Sequence, residues 1–391
     1  MTIHRPLFCT SLPTSTHSKA SRLARPTGTR IALGLGLALS STAGYTAQEP
    51  SPLPFGAAPA DTLLRSGMQL QQTVFPAGAE VRQFLHNSRN TPDRLSIYTQ
   101  YIDHHLDQNH HGETPRYQQQ ESINFVGVEY QHNAAWRSGL RYTHLDQALD
   151  FQGSSNRLRH ASNSAALYTQ WYKNGFTATV LAGSGQGRLH LERSRLDGLN
   201  STTPPSASPP IIAKVDTQQH FFTLEGRQVF RDGAWFYGPI SRFNFSDATI
   251  SSYDEASRDN GNEGNTESLL HYNARETRSR TLSMGVHAAY LVTENAFNNA
   301  GTTLTPFITY LAYKEFSETR PPLRATENTY GTNTTLQQRL PSVDERWQEI
   351  SGGLTLQIKH QLTLTGSFSR SLHLRQQHEK TAAIRLEWFF P

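Results

Sequence analysis

From about residue 93 the apolar positions recur every second residue. Leu282, Met284, Val286, Ala288 and Tyr290 alternate with Ser283, Gly285 and His287. Ile350, Gly352, Leu354, Leu356 and Ile358 alternate with Ser351, Gly353, Thr355, Gln357 and Lys359. Ile384, Leu386, Trp388 and Phe390 alternate with Arg385 and Glu387. A period of two belongs to extended chain, whose side chains point to opposite faces in turn. The pattern predicts twelve strands, at 93–106, 121–132, 135–150, 162–173, 175–190, 217–231, 234–250, 278–294, 302–316, 346–358, 361–374 and 379–390. Most exceed the ~5–6 residues common in globular sheets and meet the ~9–11 that a tilted membrane-crossing strand needs.

The connections sort by length. Tight turns at Asn133-Ala134, Asn174-Gly175, Asp232-Gly233 and His360-Gln361, and a slightly longer one near Asn298 to Gly301, alternate with long polar stretches at 107–120, 151–161, 191–216, 251–277 and 317–345; the last connection, 375–378, is short although it falls on the long-loop side. Short turns at one rim and long loops at the other mark an outer-membrane barrel, and an even strand count returns both chain ends to the same side. A soluble sandwich shows the same alternation but does not sort its loops in this way. Trp136, Trp171, Tyr172, Phe176, Phe230, Trp235, Phe236 and Trp388 to Phe390 cluster near the short turns or the C-terminus, where an aromatic girdle belongs.

The N-terminal region reads differently. Residues 1–30 are basic, rich in Ser and Thr, and free of acid; Ile31 to Leu39 is a compact apolar run; Ser41-Thr42-Ala43 offers small residues for a signal peptidase. This predicts a signal peptide over 1–43 that addresses the chain to the Sec translocon. Cleavage after Ala47 is the alternative, disfavoured by Tyr45, and a mitochondrial transit peptide shares the composition but lacks so defined an apolar core and cleavage site. Within 44–92, a Pro-rich start precedes two helical stretches, 61–73 with Asp61 as N-cap and 76–85.

Composition sharpens this picture. Of 391 residues, 36% are hydrophobic and 17% charged, which suits a chain with one apolar and one wet face. The net charge of +4 belongs to the leader, which holds Arg5, Lys19, Arg22, Arg25 and Arg30; without it, 31 basic residues face 32 acidic ones, and no nucleic-acid partner is expected. The single cysteine, Cys9, lies in the leader, so the mature chain has neither disulfide nor thiolate site.

Over residues 93–391 the chain resembles the translocator domain of autotransporters, the type V secretion family. Gly127-Val128-Glu129-Tyr130 with Trp136 to Tyr142, Gly238-Pro239 with Arg242 and Tyr253-Asp254-Glu255, Thr305-Pro306 through Glu315-Phe316, and the terminal Ile384 to Phe390 carry the likeness. The resemblance implies a Gram-negative outer-membrane barrel set in lipid. It also implies a helix threading the pore, for which 61–85 is the candidate, and a C-terminal signal (Trp388, Phe389, Phe390) read by the barrel-assembly machinery. Two features depart from the family pattern. Pro391 follows the last aromatic, and about fifty residues between cleavage site and barrel leave no room for a folded passenger.

The expected fold is therefore all-β: a twelve-stranded transmembrane antiparallel barrel over 93–391, preceded by a short segment with a pore helix. The polar strand faces predict a wet lumen lined by Arg137, Arg141, Glu225, Arg227, Arg242, Lys359, Arg385 and Glu387. Opposite charges across that lumen avoid burying lone ions. Ser283, His287 and Gln357 share those faces. Other chemistry is weaker. His104, His105, His110 and His111 lie among carboxylates, but His104 and His105 face opposite ways on a strand. Gly183 to Gly187 lacks the residues of a phosphate loop or nucleophile elbow and reads as a bend at the rim. Asp146, Asp150, Asp247, Asp254, Glu255 and His271 would form a hydrolytic centre only by converging at the outer rim. The expectation is a non-enzymatic barrel without cofactor or metal that translocates or displays a short N-terminal segment. A passive porin-like channel or surface-interaction barrel is the alternative, and a barrel hydrolase stands behind both.

Overall fold

The computed structural model describes residues 95–109, 116–152, 156–193, 210–257, 270–292, 301–316, 322–329, 332–338, 345–359, 361–374 and 377–390. The leader, the helix expected at 61–85, and His110 and His111 lie outside them. The described residues contain no helix. Twelve long strands make up the barrel: β1 (Leu95–Gln108), β2 (Tyr117–Asn133), β3 (Trp136–Phe151), β4 (Arg157–Lys173), β5 (Phe176–Arg193), β6 (Ile211–Gln228), β7 (Trp235–Ile250), β8 (Arg275–Tyr290), β9 (Thr303–Glu315), β10 (Arg346–Ile358), β11 (Leu362–Leu372) and β12 (Gln377–Phe390).

Every strand pairs antiparallel with its sequence neighbours, and β12 returns to β1. That seam runs from Leu95 opposite Phe390 to Gln108 opposite Gln377. Closure leaves no edge, so the backbone donors and acceptors along the ladders are satisfied inside the sheet, as a lipid environment requires. Short hairpins tie one rim. At Asn174-Gly175 both residues take positive φ (52° and 80°), the geometry whose twist matches two paired strands. Within β2 a register shift lies between Gln131 and Asn133, beside the β2–β3 turn.

Several strands extend further toward the long-connection rim than their alternation predicts. β2 starts at Tyr117, β4 at Arg157 and β6 at Ile211. The stretches read as loops at 251–277 and 317–345 also carry structure. Tyr253–Asp254, Leu270–Tyr272, Leu323–Thr329 and Thr332–Gln338 form a separate four-stranded sheet. Ala256–Ser257 adds to the start of β6.

The outer face changes chemistry at one level around the barrel. On β1, exposed Leu95, Ile97, Thr99 and Tyr101 give way to Asp103, His105 and Asp107. On β5, Phe176, Ala178, Val180 and Ala182 give way to Ser184, Gln186 and Arg188. On β8, Tyr290, Ala288, Val286, Met284 and Leu282 give way to Arg280, Arg278 and Glu276. The apolar half lies toward the short turns. It forms a lipid-facing band, edged by Trp171 on Phe176 (6.2 Å), Trp235 on Tyr290 (4.9 Å) and Trp388 on Phe390 (6.4 Å). Phe236 and Phe389, assigned to this girdle from sequence, point inward and are buried, because each sits one residue out of phase with it.

Beyond the band the arrangement inverts. The outer face is polar, and the inside holds a buried apolar cluster that includes Leu106, Tyr117, Leu149, Phe151, Leu158, Leu189 and Val215. The upper half of the barrel is thus organised like a soluble protein and the lower half like a membrane protein.

Candidate functional site

Inside the membrane-level half, the inward positions carry a ladder of charged and hydroxyl side chains. Arg137, Arg141, Glu225, Arg227, Arg242, Arg385 and Glu387 are all buried there. Lys359 is not. It occupies the tight turn after β10 with φ 47° and its side chain exposed, because β10 ends at Ile358. Gln357, Ser283 and His287 are buried on inward positions.

The charges are grouped. Glu225 accepts from Arg242 Nη2 at 2.6 Å and Nε at 2.9 Å, and from Arg227 Nη2 at 3.2 Å. The register brings Glu225 and Arg242 directly opposite each other on β6 and β7. Across the barrel, Arg137 donates to Glu129 at 2.8 Å, and Tyr168 donates its hydroxyl proton to the same carboxylate at 3.1 Å. Arg385 pairs with Glu387 at 3.2 Å and lies 3.8 Å from the Tyr98 ring centroid, while Ser96 donates to Glu387 at 3.1 Å. Arg141 stacks over Phe125 at 4.7 Å. Buried ions in a low-dielectric wall persist only when paired in this way.

Glycines make room for the inward aromatics. A Cβ at Gly127 would lie 2.3 Å from the Tyr98 ring, and one at Gly139 would lie 2.3 Å from Tyr168. Gly183, Gly185 and Gly187, read from sequence as a rim bend, lie within β5. A Cβ on Gly183 would meet Phe221, and one on Gly187 would meet His160. Ser184 between them faces outward and is exposed.

The hydrolytic candidates do not converge. Asp146 faces outward beside His144 (3.0 Å), Asp150 beside Arg157 (2.7 Å) and Asp247 beside Arg278 (3.2 Å). His271 meets only Asp254 of this set, at 2.7 Å. Glu255 is buried in a two-point contact with Arg193 at 2.6 and 2.8 Å and accepts from the Leu270 amide at 3.1 Å. It ties the loop sheet to the end of β5. Tyr253 and Tyr272 stack there with centroids 4.6 Å apart. Burial raises both phenol pKa values, and the Glu255 carboxylate raises that of Tyr272 further. His104 points inward against Glu121 (3.4 Å), while His105 points outward against Asp107 (3.4 Å). Among the described residues no group of three or more His, Cys, Asp or Glu side chains is placed to hold a metal ion.

Glu129, Glu121, Glu349 and Tyr168 are further inward polar groups that the sequence reading did not select. Each is in phase with another inward residue on its own strand: Glu129 with Gln131, Glu121 with Gln119, Glu349 with Ser351, Tyr168 with Gln170. That phase was the available signal.

Residues 97–369 match the family model described as the autotransporter beta-domain. The translocator domain of the autotransporter NalP from Neisseria meningitidis superposes with a TM-score of 0.60 at 10% identity, covering 86% of this chain and 99% of that one. The beta domain of the Bordetella autotransporter BrkA gives 0.54 at 11% identity, covering 76% and 100%. No curated protein sequence matches the chain.

Proposed function

Since this chain belongs to the autotransporter β-domain family, we propose that its barrel sits in a Gram-negative outer membrane and translocates or displays its own N-terminal segment, residues 44–92, at the cell surface. Family membership supports a translocator rather than a catalyst. The observation that carries the reading is the paired polar ladder inside the membrane-level half. Arg137–Glu129, Arg227–Glu225–Arg242 and Arg385–Glu387 give a lumen wall in which four guanidinium groups are held on three carboxylates. Such a wall accepts a polar chain or an amphipathic helix without stranding a lone ion. Residues 61–85 are the segment proposed to occupy it. The Sec translocon delivers the chain, and the barrel-assembly machinery reads Trp388, Phe389 and Phe390 on the closing strand. The scattering of the candidate carboxylates argues against a hydrolase.

The test is topological. An epitope tag placed after Ala47 in the full-length protein is expected to become accessible to antibody and protease on intact cells, while the folded barrel resists digestion. A tag that stays protected until the outer membrane is permeabilised would overturn display and leave the passive-channel reading.

A further inference from the structure

The boundary between the apolar band and the polar upper half is not uniform around the barrel. On five consecutive strands, the first charged outward residues above the band are Arg280 (β8), Lys314 (β9), Arg346 (β10), Arg370 (β11) and Lys380 (β12), all exposed. By the same criterion the other strands give Asp103 (β1), Asp146 (β3), Arg159 (β4), Arg188 (β5), Asp216 (β6) and Asp247 (β7), with no charged outward residue above the band on the described part of β2, so acids and cations are mixed there. The register sets Lys314 directly opposite Arg346, and Arg370 directly opposite Lys380. Like charges facing each other on paired strands repel and weaken the sheet.

Elsewhere on the outer face Arg157, Arg188 and Arg278 have acidic partners in Asp150, Asp216 and Asp247, while the exposed Arg159 and Lys214 stand singly rather than opposite another cation. Among the described residues Lys314, Arg346, Arg370 and Lys380 make no ion pair. The nearby acids are engaged or set aside. Glu315 accepts from the Ser279 hydroxyl and the Arg280 amide, Glu379 from Ser371 and Glu349 from Tyr313; Glu345 is exposed just ahead of Arg346. At the seam, His105 lies opposite Lys380 and its ring faces Asp107. Below the row, Ile308, Ile350, Leu354, Phe368 and Ile384 expose an apolar wall.

We propose that this arc is a seat for the phosphate groups of an anionic glycolipid in the outer leaflet, whose acyl chains lie along the wall below. The position follows from the fold. Long connections mark the outer side of such a barrel, so the boundary nearest them is the outer-leaflet headgroup level. Guanidinium and ammonium groups set opposite each other there in two pairs, Lys314 with Arg346 and Arg370 with Lys380, match phosphate oxygens in charge and in hydrogen-bonding capacity. The bound phosphates also screen the two repelling pairs. The proposal rests on the membrane-spanning reading of the barrel.

The test reconstitutes the full mature protein in neutral phosphatidylcholine vesicles. Bisphosphorylated lipid A, its phosphate-free counterpart or inorganic phosphate is then added. The thermal midpoint is expected to rise by several degrees with the bisphosphorylated lipid alone. In K314Q/R346Q/R370Q/K380Q that rise disappears, with apparent affinity reduced at least roughly tenfold. R157Q/R159Q/R188Q, on the opposite sector, keeps it. If the fourfold variant does not reach the folded, heat-modifiable form, R370Q and K380Q are read singly and each is expected to weaken the response. An equal response from arc variants and wild type overturns the proposal. So does an equal response to the phosphate-free lipid, or to inorganic phosphate alone. A wild-type chain that forms no heat-modifiable barrel in any vesicle overturns the membrane reading instead, and the arc with it.

Discussion

Glu225 holds two guanidinium groups inside the barrel, so its charge matters more than its size. Replacing it by Gln keeps the shape and leaves Arg227 and Arg242 without their shared counter-charge. Breaking a buried ion group from one side costs about 3–5 kcal/mol. Glu225→Gln is therefore expected to lower the urea midpoint of the vesicle-inserted barrel by a corresponding amount. Glu225→Gln combined with Arg242→Gln is expected to recover part of the loss. A single variant as stable as wild type would show that solvent already screens these charges. Much of this residue-scale chemistry was legible from phase alone, since Arg137, Arg141, Arg227 and Arg385 follow from counting alternate positions. Lys359 was misplaced because counting does not show where a strand stops. The chain turns there through a left-handed residue, and a lysine that continues the alternation on paper ends at the rim. Tyr168 was missed because an aromatic on a membrane strand reads as lipid-facing, although its hydroxyl bonds to a buried carboxylate.

At the scale of the strand, the closing element deserves the sharpest test, because β12 pairs with both β11 and β1. Trp388 and Phe390 face outward, and Phe390 ends the ladder opposite Leu95. Replacing Phe390 or Trp388 by Ala is expected to reduce the heat-modifiable fraction in outer membranes several-fold, with more unfolded chain in the periplasm. Wild-type levels of folded barrel from both variants would place the assembly signal elsewhere. The twelve strands and their order were legible because each lower half alternates sharply. The upper ends were not. β2 begins Tyr117-Gln118-Gln119-Gln120-Glu121, with Gln119 and Glu121 inward and buried, so polar residues occupy both faces and the period vanishes. The loop sheet was invisible for another reason. Leu270–Tyr272 is three residues long, and its partners Tyr253–Asp254 and Leu323–Thr329 are distant in sequence, so no local pattern announces it.

At the scale of the whole molecule, the plug and the pore make one prediction. If 61–85 occupies the lumen, deleting 48–85 is expected to raise single-channel conductance in planar bilayers several-fold, and unchanged conductance would remove the segment from the lumen. The division of the barrel into two halves of opposite polarity also bears on how it arrives. In the membrane placement proposed above, the long-connection ends pass through hydrocarbon to reach the outside, and they carry charged side chains on their outer face. An Arg or Lys at mid-bilayer costs about 2–4 kcal/mol. β4 alone would drag Arg157 and Arg159 through unshielded. Paired with β3 beforehand, Arg157 travels with Asp150 as a neutral couple. The barrier is therefore lower for hairpins than for single strands. Among the described residues Lys314, Arg346, Arg370 and Lys380 on β9 to β12 have no acidic companion of this kind.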